Sequence, residues 1–121
     1  MKVVKMSGVP KEAATSALFT GGRVDRQTVF QPGDSNNFNF GIVSFSAGSR
    51  NKFHVHTSDQ ILIITEGTGT VATRQEEQSV TVGDVVLIPQ GEDHWHGAPG
   101  STSMAHITIT AKESQTTQTE P

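Results

Sequence analysis

Phe53-His54-Val55-His56, followed by Gln60-Ile61-Leu62-Ile63-Ile64-Thr65-Glu66 and then Gly67-Thr68-Gly69, is the stretch on which the fold turns. Both runs have strand length and carry β-branched or aromatic residues, and the glycines read as a turn closing the second. Residues i and i+2 of a strand point to one face, so His54 and His56 share one side of a sheet. Gln60 lies four residues on and keeps their even parity. A second pair, His94-Trp95-His96, repeats the device further along, and all 5 histidines of the chain fall between His54 and His106. Neutral imidazole is the commonest nitrogen ligand of first-row metals. Two such pairs on neighbouring strands would therefore form a metal site.

Outward from this stretch the pattern stays that of strands. Thr28-Val29-Phe30 reads as a short strand, and Phe38 to Ser46 alternates apolar and polar residues. Thr70–Arg74 and Gln78–Val82 form a hairpin pattern across Gln75-Glu76-Glu77. Val85 to Ile88 is apolar at every position, which predicts burial on both faces. After the turn Pro89-Gln90-Gly91-Glu92, His94 opens another strand, and Met104 to Ala111 is the last. Only Val9 to Ala17 reads as a short helix. Glu113 to Pro121 is polar and without apolar anchors, so it is expected to be disordered. Short strands at regular spacing predict an all-β sandwich or barrel spanning residues 1–112, with 113–121 as a tail.

Composition bounds the function. A chain of 121 residues makes one domain with a real core. The net charge of −3 offers no basic footprint, so nucleic acid is excluded as a partner. There is no cysteine, hence no disulfide, thiolate ligand or thiol nucleophile. The run Ile61-Leu62-Ile63-Ile64 is too short to span a bilayer, and Met1 to Ser7 lacks the apolar stretch of an export signal. A soluble cytoplasmic protein is the expectation.

Two spacings carry a family resemblance. Gly48, His54-x-His56, Gln60 and Gly67 resemble the first cupin motif, and Gly83, Pro89-x-Gly91 and His94 resemble the second. Together the motifs occupy residues 48–67 and 83–98. The resemblance implies a single cupin-type β-barrel, a jelly-roll-like double sheet, holding one divalent metal on His54, His56, Gln60 and His94. It also implies a homodimer joined through N-terminal strands, a mode the apolar and β-branched content of Thr28-Val29-Phe30 suits.

Gln60 stands where the family usually has glutamate. Three imidazoles and a neutral amide leave the full charge on a divalent ion, which raises its Lewis acidity and weakens its retention. Gln60 could instead only hydrogen-bond a ligand. Manganese is the first expectation for the ion, with iron, nickel, cobalt and zinc also suited to such donors.

The remaining histidines and a glutamine at the fourth ligand position narrow the resemblance. His94-Trp95-His96-Gly97-Ala98, Ser103-Met104-Ala105-His106 and Leu18-Phe19-Thr20-Gly21 are similar to small bacterial manganese cupins that act as hydroxynitrile lyases. That places His96 and His106 as acid–base groups on a small hydroxyl-bearing or anionic substrate. The residues alone leave His96 open as an extra ligand, a proton-transfer group or an orienting partner. The inward or outward facing of His106 is equally open. Lys52 would share the face of His54 in a regular strand and could meet an anion; a solvated lysine is the competing reading. Trp95 has the opposite parity and reads as packing. The leading function is a metal-dependent lyase, with an Fe(II) dioxygenase and a non-enzymatic ligand-binding or sensor module as alternatives.

Overall fold

The structure is a computed structural model describing residues 1–121. It is built from short strands: β1 (Glu12–Ala13), β2 (Phe19–Thr20), β3 (Val24–Thr28), β4 (Phe38–Phe45), β5 (Ser49–Asn51) and β6 (His54–His56) in the first half. The second half adds β7 (Gln60–Thr73), β8 (Glu77–Thr81), β9 (Val85–Ile88), β10 (His94–Ala98), β11 (Met104–Ala111) and β12 (Thr116–Gln118). All pairings are antiparallel. One sheet runs β1-β3-β4-β11-β7-β9 and the other holds β2, β5, β10, β7 and β8, with β6 between β10 and β12. This is the expected all-β barrel of two curled sheets. No helix is long and apolar enough to cross a membrane.

The two sheets share β7. Its first part pairs with β9 and β11, and its second with β8 and β10. The turn expected at Gly67-Thr68-Gly69 is absent; the strand bends there and continues. Gly67 takes φ +67°, a left-handed conformation, and a Cβ on it would lie 2.0 Å from the Ser103 carbonyl oxygen. Glycine thus turns the corner without breaking the ladder. Gly67→Ala is expected to cost roughly 2 kcal/mol or more, from the left-handed backbone and the clash together. That is a fall in Tm on the order of 10 °C. An unchanged melting curve would mean that the corner has room for a side chain.

The inner faces of the sheets meet in a core of Val24, Val43, Phe45, Ile64, Val80, Ala98 and Met104. Three local expectations are corrected. Val9–Ala17 is not helical: a short 3-10 turn spans Met6–Gly8, and Glu12–Ala13 pairs with β3. Pro10 disfavours helix in the residue before it, and Ala14 is drawn into the core side of the sheet. β9 is buried on one face only, with Val85 65% and Leu87 63% exposed, because no element covers the outer face of the sheet there; Ile61, the neighbour of Leu87 on β7, is exposed with them. The segment expected to be disordered carries β12, which pairs with β6: Thr116↔His56, Thr117↔Val55 and Gln118↔His54. Its polar side chains give no apolar signal; backbone bonds and an ion pair hold it.

Candidate metal centre

His54 on β6 and His94 on β10 are cross-strand partners, and their ring centroids lie 4.3 Å apart. His56, two residues along β6, shares that face and lies 5.2 Å from His94, ring to ring. One donor nitrogen from each of the three falls within 4.8 Å of the others. Gln60 reaches the same point from the start of β7: its Oε1 is 3.1 Å from His94 Nε2, while its amide nitrogen donates to Thr108 Oγ1 at 2.9 Å. The four residues named from the motifs are therefore assembled between the two sheets.

The Nδ1 of each of the three histidines is engaged. His54 Nδ1 donates to the Lys52 carbonyl at 2.6 Å, and His94 Nδ1 to the Glu92 carbonyl at 2.8 Å. His56 Nδ1 meets Thr116 Oγ1 at 2.9 Å. The carbonyls place the proton of His54 and His94 on Nδ1, and the Thr116 hydroxyl can accept from His56 Nδ1 in the same way; each ring then turns an Nε2 lone pair inward, the tautomer that metal ligation requires. His56 Nε2 is buried and has no partner, and His94 Nε2 faces the Gln60 oxygen, a second acceptor. Inward lone pairs left facing one another are what a cation would satisfy. The donor set, three imidazole nitrogens and one amide oxygen, fits a first-row divalent ion.

Burial keeps these rings neutral. It is the largest cause for each, pushing His54 down to about 3 and His56 to about 4, with the His94 charge adding repulsion in both. His94 is lowered by burial too, opposed by its bond to the Glu92 carbonyl. Ligands that are already deprotonated at neutral pH need release no proton to a metal.

Beside this cluster lies a second one. His106 Nε2 and His96 Nδ1 are 2.9 Å apart, so the two rings share a hydrogen bond. Both are buried, which drives His96 well below the ordinary imidazole range and His106 to about 4. His106 Nδ1 is buried without a partner. The facing of His106, open in the sequence, is set by the alternation of β11. Ala105 pairs with Glu66 but His106 with Ile64, an irregularity that lies in β7; β11 itself stays in register with β4, and His106 faces inward with Met104 and Thr108, two residues to either side. Phe45 packs against both rings, at 5.9 Å from His96 and 5.6 Å from His106.

Three residues that sequence reasoning missed complete the site. Asn51 Oδ1 accepts the backbone N–H of His96 at 2.8 Å, and its amide nitrogen lies 3.2 Å from the His96 ring. Thr108 holds Gln60 and Thr116 holds His56. Alternation with His106 on β11 offered a weak signal for Thr108, and there was none for the others. Lys52 does not line the cavity, because the strand breaks between β5 and β6 and parity does not carry across; its carbonyl serves His54 instead. The cationic side chains along the cavity are those of Arg26 and Lys112. Trp95 packs away from the site under Arg50, whose guanidinium carbon is 4.8 Å from the ring centroid.

The cavity has a volume of about 570 Å³ and takes in His54, His56, Gln60, His96 and His106. It is open to solvent past Phe30, Phe38 and Lys112 and is large enough for a small aromatic molecule.

Residues 41–110 match the sequence model of the cupin domain. An (R)-mandelonitrile lyase of Granulicella tundricola is 42% identical over 69 residues, which are 55% of this chain and 52% of that enzyme. The match thus spans about half of the relative's length. A cupin-like protein from Thermotoga maritima superposes with a TM-score of 0.82 at 31% identity, over 89% of this chain and 84% of its own. The polyketide cyclase RemF from Streptomyces resistomycificus gives 0.88 at 16% identity, over 100% and 87%, a likeness of fold alone.

Proposed function

We propose, on the premise that this chain belongs to the cupin family, that it is a metal-dependent lyase of the hydroxynitrile-lyase type acting on a small cyanohydrin. One observation carries the proposal. A cluster of inward Nε2 lone pairs and a separate, non-ligating histidine pair face one cavity, so an electrophilic and a proton-accepting group stand side by side. The (R)-mandelonitrile lyase relative supports the same chemistry.

Manganese is the proposed ion, held by His54, His56, Gln60 and His94. When bound, it would supply Lewis-acid polarisation of a substrate hydroxyl. The protein's own groups do the rest. The His96–His106 pair accepts the hydroxyl proton as a unit and spreads the resulting charge through its Nε2···Nδ1 bond. As that proton leaves, the carbon–oxygen double bond forms and the bond to the nitrile carbon breaks. Cyanide departs with the electron pair. Asn51 and Phe45 keep the pair in place, and Arg26 and Lys112 along the cavity favour an anionic product on its way out.

The test is cleavage of mandelonitrile by manganese-loaded protein, followed as benzaldehyde release. Turnover that needs the metal and is indifferent to oxygen is expected. No cleavage with stoichiometric manganese would remove the lyase reading. Oxygen uptake with bound iron would favour a dioxygenase, and neither activity would favour a ligand-binding module. The cytoplasm is the proposed compartment, on the sequence reading alone.

The chain is also proposed to work as a homodimer through its N-terminal strands. The support is the family resemblance; the exposed Ile61 of β7 and Val85 and Leu87 of β9 lie at the other end of the sheet that begins with β1 and β3. Light scattering at micromolar concentration is expected to give about twice the 12.9 kDa chain mass. A mass near the monomer value would refute it.

A further inference from the structure

The segment from Gln115 to Glu120 is polar, largely exposed, and laid along the strand that bears two of the metal-site histidines. β6 is three residues long, and apart from this segment its only ladder contact is the single His94↔His54 pair. Both histidines of β6 are thus paired on one side by β12.

The contacts are concentrated at the flanks of the site. Thr57 N donates to the Gln115 carbonyl at 3.0 Å and Thr119 N to the Phe53 carbonyl at 2.9 Å, closing the ladder at both ends. Glu120 forms a two-armed ion pair with Arg50, at 3.1 and 2.9 Å, and also accepts the Phe53 backbone N–H at 2.9 Å. Phe53 directly precedes His54. Thr119 Oγ1 donates to Asp93 Oδ1 at 2.6 Å, and Asp93 directly precedes His94. Within this frame Thr116 Oγ1 is the partner of His56 Nδ1. Thr116 also lines the cavity.

We propose that Gln115–Glu120 is a latch on the metal centre: Thr116 holds the His56 ring by its Nδ1, and the ladder behind it holds β6 in register, so that metal affinity and metal release depend on the latch staying closed. The inference rests on the metal site of the preceding reading and not on the lyase activity. No apolar side chain anchors the segment, so hydrogen bonds and one ion pair alone keep it shut. Segments held in that way open far more readily than the core. Opening would free the His56 ring, unpair both β6 ligands and widen the cavity wall at once. Thr116 is on this view a positioning residue, with no contact to substrate required.

The test uses the full chain loaded with manganese. Free ion is measured by its electron paramagnetic resonance signal, and release is timed after adding a chelator. Thr116→Val keeps the side-chain shape and removes the hydroxyl that meets His56 Nδ1. It is expected to weaken affinity roughly 10–100-fold, the usual cost of losing an outer partner of a ligating histidine, and to speed release. Thr116→Ser should restore both. The melting temperature of metal-free protein should not differ between Thr116→Val and the parent, which separates positioning from a general loss of stability. Removing residues 115–121 should weaken affinity at least as far. Wild-type affinity and release in Thr116→Val would overturn the latch while leaving the metal site standing. Failure of the parent protein to take up one ion per chain would overturn both.

Discussion

Replacing His56 and His94 together with alanine is expected to abolish stoichiometric metal binding, read as metal per chain by elemental analysis after gel filtration. The two residues come from different strands, and their loss leaves His54 and Gln60 as the only inward donors. An outer-shell partner alone is commonly worth 10–100-fold in affinity, so the loss of two direct donors should exceed about 100-fold. Full occupancy in the double variant would sink the site. The converse change sharpens the test. Gln60→Glu puts a negative charge where a neutral amide now stands, and the Thr108 hydroxyl, at present an acceptor from Gln60, can rotate to donate to the new carboxylate. Binding is expected to tighten by roughly tenfold or more, with part of the Coulombic gain lost to burying the charge. Unchanged or weaker binding would count against direct ligation by residue 60.

Alanine at His106 or at His96 is expected to leave the metal in place and remove catalysis. Neither ring belongs to the three-histidine cluster, yet the two are bonded to one another in the same cavity. General acid–base assistance is worth typically ~10²–10⁴-fold. At least one of the variants should lose roughly that much of kcat/KM on mandelonitrile, at wild-type metal content. Because the pair acts as a unit, the double variant should cost little more than the worse single one. Two single variants with wild-type activity would show that the proton goes elsewhere; no tyrosine or cysteine is present to take it.

The candidate ligands were legible because their spacing is local. His54, His56 and Gln60 fall within one short stretch, and the Pro89-x-Gly91 turn fixes the approach of His94. Strand pattern was nearly as readable: Met104–Ala111 and Val85–Ile88 form with the bounds their periodicity suggests. What sequence could not supply was pairing between distant polar residues. Thr116 lies far along the chain from His56, in a run with no apolar signal, and its role arises only from the β6–β12 register. Asn51 sits before a break that erases parity. The facing of His106 was open because β11 carries apolar residues on both faces, and only the packing of Met104 into the core tells which face is inward. The apolar run of β9 told composition correctly and burial wrongly, since a strand with an apolar but uncovered outer face reads the same as one covered on both sides.

The 14-residue β7 decides where this chain can be reopened by protein engineering. Because it serves both sheets, a cut or an insertion anywhere along it would unpair two layers at once, and no split into complementing halves should succeed there. New termini belong instead at exposed loop tips that no ladder crosses. The turn at Gly33, where an added Cβ would meet nothing within 4 Å, is one; the exposed link around Gly100 between β10 and β11 is another. Loop tips of this kind are where permutation and domain insertion generally succeed. A permutant opened at Gly33 would keep β4 to β12 continuous, and with them every residue proposed to touch the metal or the substrate hydroxyl.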